Sequence, residues 1–266
     1  IIAQNGSSQG GAGRFVVCDA HTFKMEYADP LVIMTPEGKS TWPQHLVVVS
    51  PTRAYVQYSE SGMEATSGIA ALTLSDGAVK VEPTVDGSFG AFTVAGATKG
   101  RMVYSGCGQK VIIIDPATDQ IIKSIPFEGH QIKGIAKGAD GNIYCPLAAT
   151  YTGSLYSPTF TSSPKMVALA HDGNVLSETD MPDEIELPIA SWSPSVGFCA
   201  SFTQPNLYFV DTDAFNATSA SRYNYTTQSF DVNFLKSSIT IYGIMGIHPT
   251  TEEYWVGQST YVNSDI

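Results

Sequence analysis

The feature that most constrains this chain is a turn that recurs in register. Arg101–Ile125, RMVYSGCGQKVIIIDPATDQIIKSI, reads as three short strands, Arg101–Ser105, Lys110–Ile114 and Gln120–Ile125. Each run is apolar, rich in β-branched residues and bounded by Gly, Pro or Asp, the pattern of strands closed by tight turns. One meander cannot bury both of its faces, so the unit has to repeat. Its Asp-led turn recurs at Asp19, Asp115 and Asp211, in steps of 96 residues, and Asp76-Gly77 and Asp172-Gly173 form a second series with the same step. Interleaved, the two series give alternate spacings of 57 and 39 residues, a mean of about 48. Units of that length with four strands each mark propeller blades. The expected fold is all-β: a β-propeller of four-stranded antiparallel blades, with residues 1–266 forming a single domain.

Composition agrees with many short strands and tight turns. The 266 residues include 24 Gly, 15 Pro and 13 Tyr, and only 15% are charged. No long window carries a 3.6-residue apolar period, so helix should be scarce. A net charge of −11 excludes a nucleic-acid partner, whose phosphates require a basic face, and a polybasic membrane contact. No apolar run approaches the 18 residues of a membrane span.

Read in order, the strands make one partial unit, four full ones and a final half. The last full unit is expected from Ile189–Trp192, Val196–Phe202, Leu207–Asp211 and a strand near Arg222–Tyr225. Ile1 falls inside an apparent strand and Tyr261–Ile266 stop where another should begin, so the chain reads as a piece of a longer one, with a possible N-terminal lipid anchor outside it. One more unit would give a seven-bladed ring, with six blades as the alternative. Cys107, Cys145 and Cys199 fall at related places in successive units, and Cys18 in a third strand. Equivalent positions on neighbouring blades are too far apart to bridge, so buried free thiols are expected.

The blade segment Asp115–Ile125, with Ile132-Lys133-Gly134-Ile135-Ala136 leading to Asp140-Gly141-Asn142-Ile143-Tyr144, resembles the blade signature of YncE-like seven-bladed propellers. Ala3-Gln4-Asn5-Gly6 and the Trp42–Tyr58 segment resemble a Bacteroidetes subgroup of secreted propellers, the DUF5074 group. The likeness spans essentially the whole chain. It implies the fold and an extracytoplasmic place, in the periplasm or on an outer-membrane lipoprotein. Relatives in this broad set include surface lipoproteins that capture cobalamin for a TonB-dependent transporter.

Blade geometry sorts the loops. Turns joining strands one to two and three to four share one end of a blade; connections from two to three, and between blades, share the other. The first kind is short here, and the second holds the long segments 27–41, 59–68, 149–164 and 181–188. Long loops on a rigid scaffold are where binding is usually placed. Residues entering the inner strands from that end are the candidate ligand contacts: Trp42, Gln44 and His45; Phe89 and Phe92; His130, Gln131 and Lys133; Trp192; and Tyr242. Tyr151, Tyr156 and Phe160 join them from the 149–164 loop. Aromatics with amides and imidazoles suit a flat, partly apolar ligand such as a corrinoid, haem, a siderophore or a glycan. Packing between blades is the competing role for Trp42, Phe92 and Trp192.

Catalysis is not expected, nor is a cofactor. The chain has no GxSxG elbow, HExxH, P-loop or GxGxxG after a strand. Asp183, Glu184 and Glu186 read as a solvated acidic loop, and Asp140 as a turn residue. The first functional reading is therefore a non-enzymatic propeller that binds a small molecule, or an outer-membrane transporter, through its long-loop end. A protein-binding scaffold is the alternative; a metal-dependent lyase or lactonase is the third.

Overall fold

The computed structural model of the chain describes residues 2–4, 14–16, 21–22, 24, 31–32, 41–60, 67–75, 78–85, 93–99, 102–154, 157–185, 187, 197–210, 219–237 and 241–258. Among the described residues every regular element is a strand, and the sheets are antiparallel. The chain divides into two compact units, Ile1–Ile125 and Pro126–Ile266.

The first unit opens with a three-stranded sheet of β1 (Ile2–Gln4), β2 (Arg14–Val16) and β3 (Leu31–Val32). Two four-stranded meanders follow. One is β4 (Thr41–Ser50), β5 (Arg53–Glu60), β6 (Ser67–Ser75) and β7 (Ala78–Val85); the other is β8 (Thr93–Lys99), β9 (Met102–Cys107), β10 (Lys110–Asp115) and β11 (Gln120–Pro126). Tyr55, Ile69 and Ala71 of the former pack on Val103, Ile112 and Ile114 of the latter. The run Val111–Ile114 is buried throughout, as a strand covered on both faces requires, whereas β11 is mostly exposed. Each fully buried isoleucine in that run contributes about 1.5–3 kcal/mol by leaving water.

The second unit repeats the plan. A four-stranded sheet takes β12 (Ala136–Lys137), β13 (Ile143–Leu147), β16 (Lys165–Leu169) and β17 (Val175–Asp180), and a separate hairpin, β14 (Tyr151–Ser154) with β15 (Ser157–Phe160), is inserted between its second and third strands. Next come β18 (Phe198–Ala200), β19 (Asn206–Val210), β20 (Ser219–Asn224) and β21 (Ser229–Lys236), and last the pair β22 (Ile241–Ile247) and β23 (Tyr254–Gln258). Tyr144, Met166, Met181, Ile185, Phe209 and Tyr223 belong to one core between the two larger sheets. The fold is a β-propeller of four-stranded antiparallel blades.

Three expectations need correction. Asp76, Asp115 and Asp172 each lead from a third strand to a fourth, but Asp211 directly follows the second strand of its sheet, so it is not their equivalent. The 57-residue step from Asp115 to Asp172 is long because it holds the inserted hairpin, and the 39-residue step before it is short because Gly108-Gln109 alone joins β9 to β10. The segment 131–136 is regular strand only at its end, although Ala148 N–H donates to Gln131 O and Lys133 N–H to Pro146 O (both 2.8 Å), continuing the pairing with β13. Finally, the last full sheet was expected to end near Tyr225, but β21 follows, so the described sheet is Phe198–Ala200, Asn206–Val210, Ser219–Asn224 and Ser229–Lys236, while Ile189–Trp192 lies outside the described residues. β21 is bulged. The β20/β21 register shifts between Ala220 and Arg222, and Asn233 takes φ 56°. Phe230 packs on Phe209 and Tyr223, while Phe234, past the bulge, lies against Tyr208.

Candidate functional site

The short-turn ends of the blades are tied by polar clamps. Asp115 organises its turn locally, accepting the Ala117 N–H at 2.9 Å, and Asp119 ends it at φ 58°. That left-handed residue, tolerated by an Asp, aims its carboxylate at the neighbouring sheet. Arg53 donates through Nη2 to both Asp119 oxygens and through Nη1 to Thr73, and the Tyr55 hydroxyl donates to the same carboxylate. Burial, then the bond to Asp119, pushes the Tyr55 hydroxyl up to about 12, so it remains a donor.

In the second unit the same end uses two matching turns. At Asp140-Gly141-Asn142 and Asp172-Gly173-Asn174 the Asp accepts the Asn N–H at 3.0 Å and the Asn side-chain amide at 2.7 Å. Asp140, placed in a turn from the sequence, also accepts the Tyr144 hydroxyl at 2.8 Å. Tyr144 stacks on Tyr225 of the next blade at 4.9 Å between ring centres. Glu252, also at φ 58°, accepts from Ser201 Oγ at 2.6 Å and from the Phe202 and Thr203 N–H groups at 3.0 and 3.1 Å. Those bonds, the serine's first, hold its carboxyl below the usual range. Sequence reading missed Asp119 and Glu252, because turn carboxylates look alike until a partner on another blade is known.

The long-connection end of the second unit is different. The 149–164 segment is not an irregular loop but a hairpin with register Tyr151↔Phe160, Thr152↔Thr159, Gly153↔Pro158 and Ser154↔Ser157. Its root is locked by hydroxyls. Thr150 Oγ1 lies 2.7 Å from Thr161 Oγ1 and 2.8 Å from Ser162 Oγ, and Thr150 N–H donates to Ser162 Oγ at 2.9 Å. Tyr151 packs against the core, while Phe160 is 51% exposed. Gly129, at φ 79°, lies beside this root; a Cβ there would meet Thr150 Cγ2 at 2.9 Å.

His130, next in the chain, is half-buried with Nδ1 2.8 Å from Ala148 O. A carbonyl only accepts, so Nδ1 donates there. Gln131 is half-buried too. Lys133, expected at an open mouth, is instead enclosed at 2% exposure, and burial lowers its ammonium to about 7. Gly134 beside it passes so near Phe198 that a Cβ would sit 2.7 Å from the Phe198 Cβ. His130 is thus tied to Ala148, two residues before the hairpin root, Gln131 O accepts from the same residue's N–H, and Tyr151 is anchored in the core.

Trp42 and His45 fall on β4 in register with Ser59 and Gln57, Gln44 falls at the register shift between the pairs Pro43↔Tyr58 and His45↔Gln57, and Tyr242 falls on β22. Phe89, Phe92, Tyr156 and Trp192 lie outside the described residues, as do Glu186 and Cys18. Asp183 and Glu184 are exposed. Among the described residues no three His, Cys, Asp or Glu side chains converge as a metal centre requires. Cys145 and Cys199 are free thiols; burial raises both, Cys199 to about 12. No helix among the described residues is long and apolar enough to cross a membrane.

The sequence profile of DUF5074, a domain of unknown function, matches residues 1–263. The chain belongs to the DUF5074 family. None of the curated proteins matches it. This DUF5074 chain is similar in fold to a protein described as the extracellular domain of a one-component system of B. thetaiotaomicron, with TM-score 0.56, 12% identity, and coverage of 96% of this chain and 32% of that one. It is also similar to the dihydro-heme d1 dehydrogenase NirN (TM-score 0.54, 12% identity, 90% and 46% covered). An oligogalacturonate lyase solved with manganese gives TM-score 0.51 and 8% identity, with 94% and 83% covered. The DUF5074 chain spans about a third of the length of the first of these and under half of the second. At such identities the likeness carries the fold alone.

Proposed function

We propose that this DUF5074 chain is a non-enzymatic, YncE-like propeller outside the cytoplasm that binds a small molecule, or a partner such as an outer-membrane transporter, through its long-connection end. The observation that carries the reading is the contrast within one blade. Its short turns are closed by their own hydrogen bonds, whereas its second-to-third connection carries a rooted, exposed hairpin beside His130 and Gln131. A hairpin that adds nothing to the blade's sheet is the kind of insertion through which a scaffold acquires a contact surface. The extracellular description of one fold neighbour supports the location.

The test is native mass spectrometry of the chain mixed with cobalamin, haem, iron–siderophore and glycan pools. A retained small molecule that is lost when 152–159 is replaced by Gly-Gly supports the reading. Retention unchanged in that variant overturns the assignment to this end. Exposed Trp255 (64%) and Phe202 favour a second reading, a protein-binding scaffold using the opposite end, for which every small-molecule pool would give the bare chain.

A further inference from the structure

The hairpin that carries the proposed function also narrows the ligand class; the inference rests on that reading. In an antiparallel pair, directly opposed residues share a face and successive pairs alternate. The pairs Thr152↔Thr159 and Ser154↔Ser157 therefore share one face, and the Thr150–Thr161 hydroxyl contact at the root continues it. Tyr151↔Phe160 and Gly153↔Pro158 take the other, where Tyr151 is anchored in the core. Beyond that root, the outward result is a ladder of four hydroxyls in two rungs, about 7 Å apart along the strands. Thr152, Ser154, Ser157 and Thr159 are all exposed.

Charge is the second observation. Residues 141–164 contain no Asp, Glu, Lys, Arg or His, in a chain that carries 25 acidic and 14 basic side chains. Every polar group there is an uncharged hydroxyl or amide, so the surface has no means of selecting an anion or a cation. At its root lies the half-buried His130 imidazole, held through Nδ1 by Ala148 O. The locked root means that little freedom remains to be lost on binding.

We propose that the hydroxyl face of the 151–160 hairpin binds a neutral, polyhydroxylated ligand, an uncharged oligosaccharide. Hydroxyls that donate and accept match a sugar's own hydroxyls over several residues, and a repeating ladder suits a repeating chain. Each bond is weak against water, so affinity accumulates along the oligosaccharide.

Calorimetric titration of the chain with malto-, cello-, xylo- and manno-hexaose, with trigalacturonate as the charged comparison, tests this. Thr152→Val/Thr159→Val removes two hydroxyls while keeping shape and strand preference, and circular dichroism confirms that it folds. The expected result is binding of at least one neutral hexaose, weakened fivefold or more in the double variant, with trigalacturonate not bound. Equal binding of trigalacturonate, or unchanged neutral binding in the double variant, overturns the assignment. Binding of cobalamin or haem alone, lost on hairpin removal, overturns the carbohydrate class and leaves the binding-end reading standing. Retention of all ligands after hairpin removal overturns both.

Discussion

The two ends of the blades in Pro126–Ile266 solve opposite problems. At the short-turn end, carboxylates of Asp140 and Glu252 are saturated by donors from the same turn and from a neighbouring strand or loop. At the other end, the hairpin is uncharged, saturated only at its root and exposed beyond it. Charge spent on satisfied clamps makes one end a fastening; hydroxyls left facing water make the other a surface. The comparison predicts that variants at the first end change stability without changing binding, and that variants at the second do the reverse.

The largest expected effect is at the equivalent clamp of the first unit. Asp119→Ala leaves the half-buried Arg53 guanidinium and the Tyr55 hydroxyl without their shared acceptor, and should cost about 1–3 kcal/mol in urea unfolding. A loss below about 0.5 kcal/mol would mean that the clamp is only a surface ion pair.

Lys133→Met should act through pH. Burial lowers the ammonium from an ordinary 10.5 to about 7, so between those values the unfolded chain binds more protons and stability rises with pH. The penalty is complete below about 7, where the folded state must hold the charge. The Met variant should lose the slope between pH 7 and 10.5. An unchanged slope would show that the amine is held charged by its surroundings.

Glu252→Gln should cost about 1 kcal/mol at pH 7, modest because the group is partly solvated. A carboxyl held below its ordinary 4.5 adds stability that is present above that value and lost as pH falls through the folded one. The difference between wild type and Glu252→Gln in thermal unfolding should therefore shrink below pH 4.5. A constant difference down to pH 3 would assign the effect to packing.

How far sequence reached follows from what each element depends on. The meander Met102–Pro126 was legible because β-branched runs and the Asp115 turn are local signals. So were the Asp-Gly-Asn turns, whose bonds lie within five residues. β21 carried such a signal too, in the alternation of Phe230, Val232 and Phe234; what the sequence hid is the bulge at Asn233 that moves Phe234 off the face of Phe230. The candidate contacts divide in the same way. His130 and Tyr151 lie beside the point where the hairpin leaves its sheet, and loop length reveals such a point. The enclosure of Lys133 was hidden, because burial is decided by what packs over a residue rather than by its neighbours in sequence.

The smallest stability effect should come from the hairpin itself, and that makes it the sharpest test. Replacing 152–159 with Gly-Gly removes an exposed two-stranded element that is not paired into the blade sheet, so little buried surface is lost. An isolated hairpin of this size is marginal alone, and shortening a surface connection changes closure entropy by only about 0.6 kcal/mol per halving. The Tyr151 anchor and the Thr150–Ser162 clamp lie outside the replaced residues, so the root should persist. Urea unfolding should move by less than about 1 kcal/mol, whereas a ligand retained by the wild type should be lost. A large destabilisation would turn the hairpin into a structural brace, and the two ends would then no longer differ in kind.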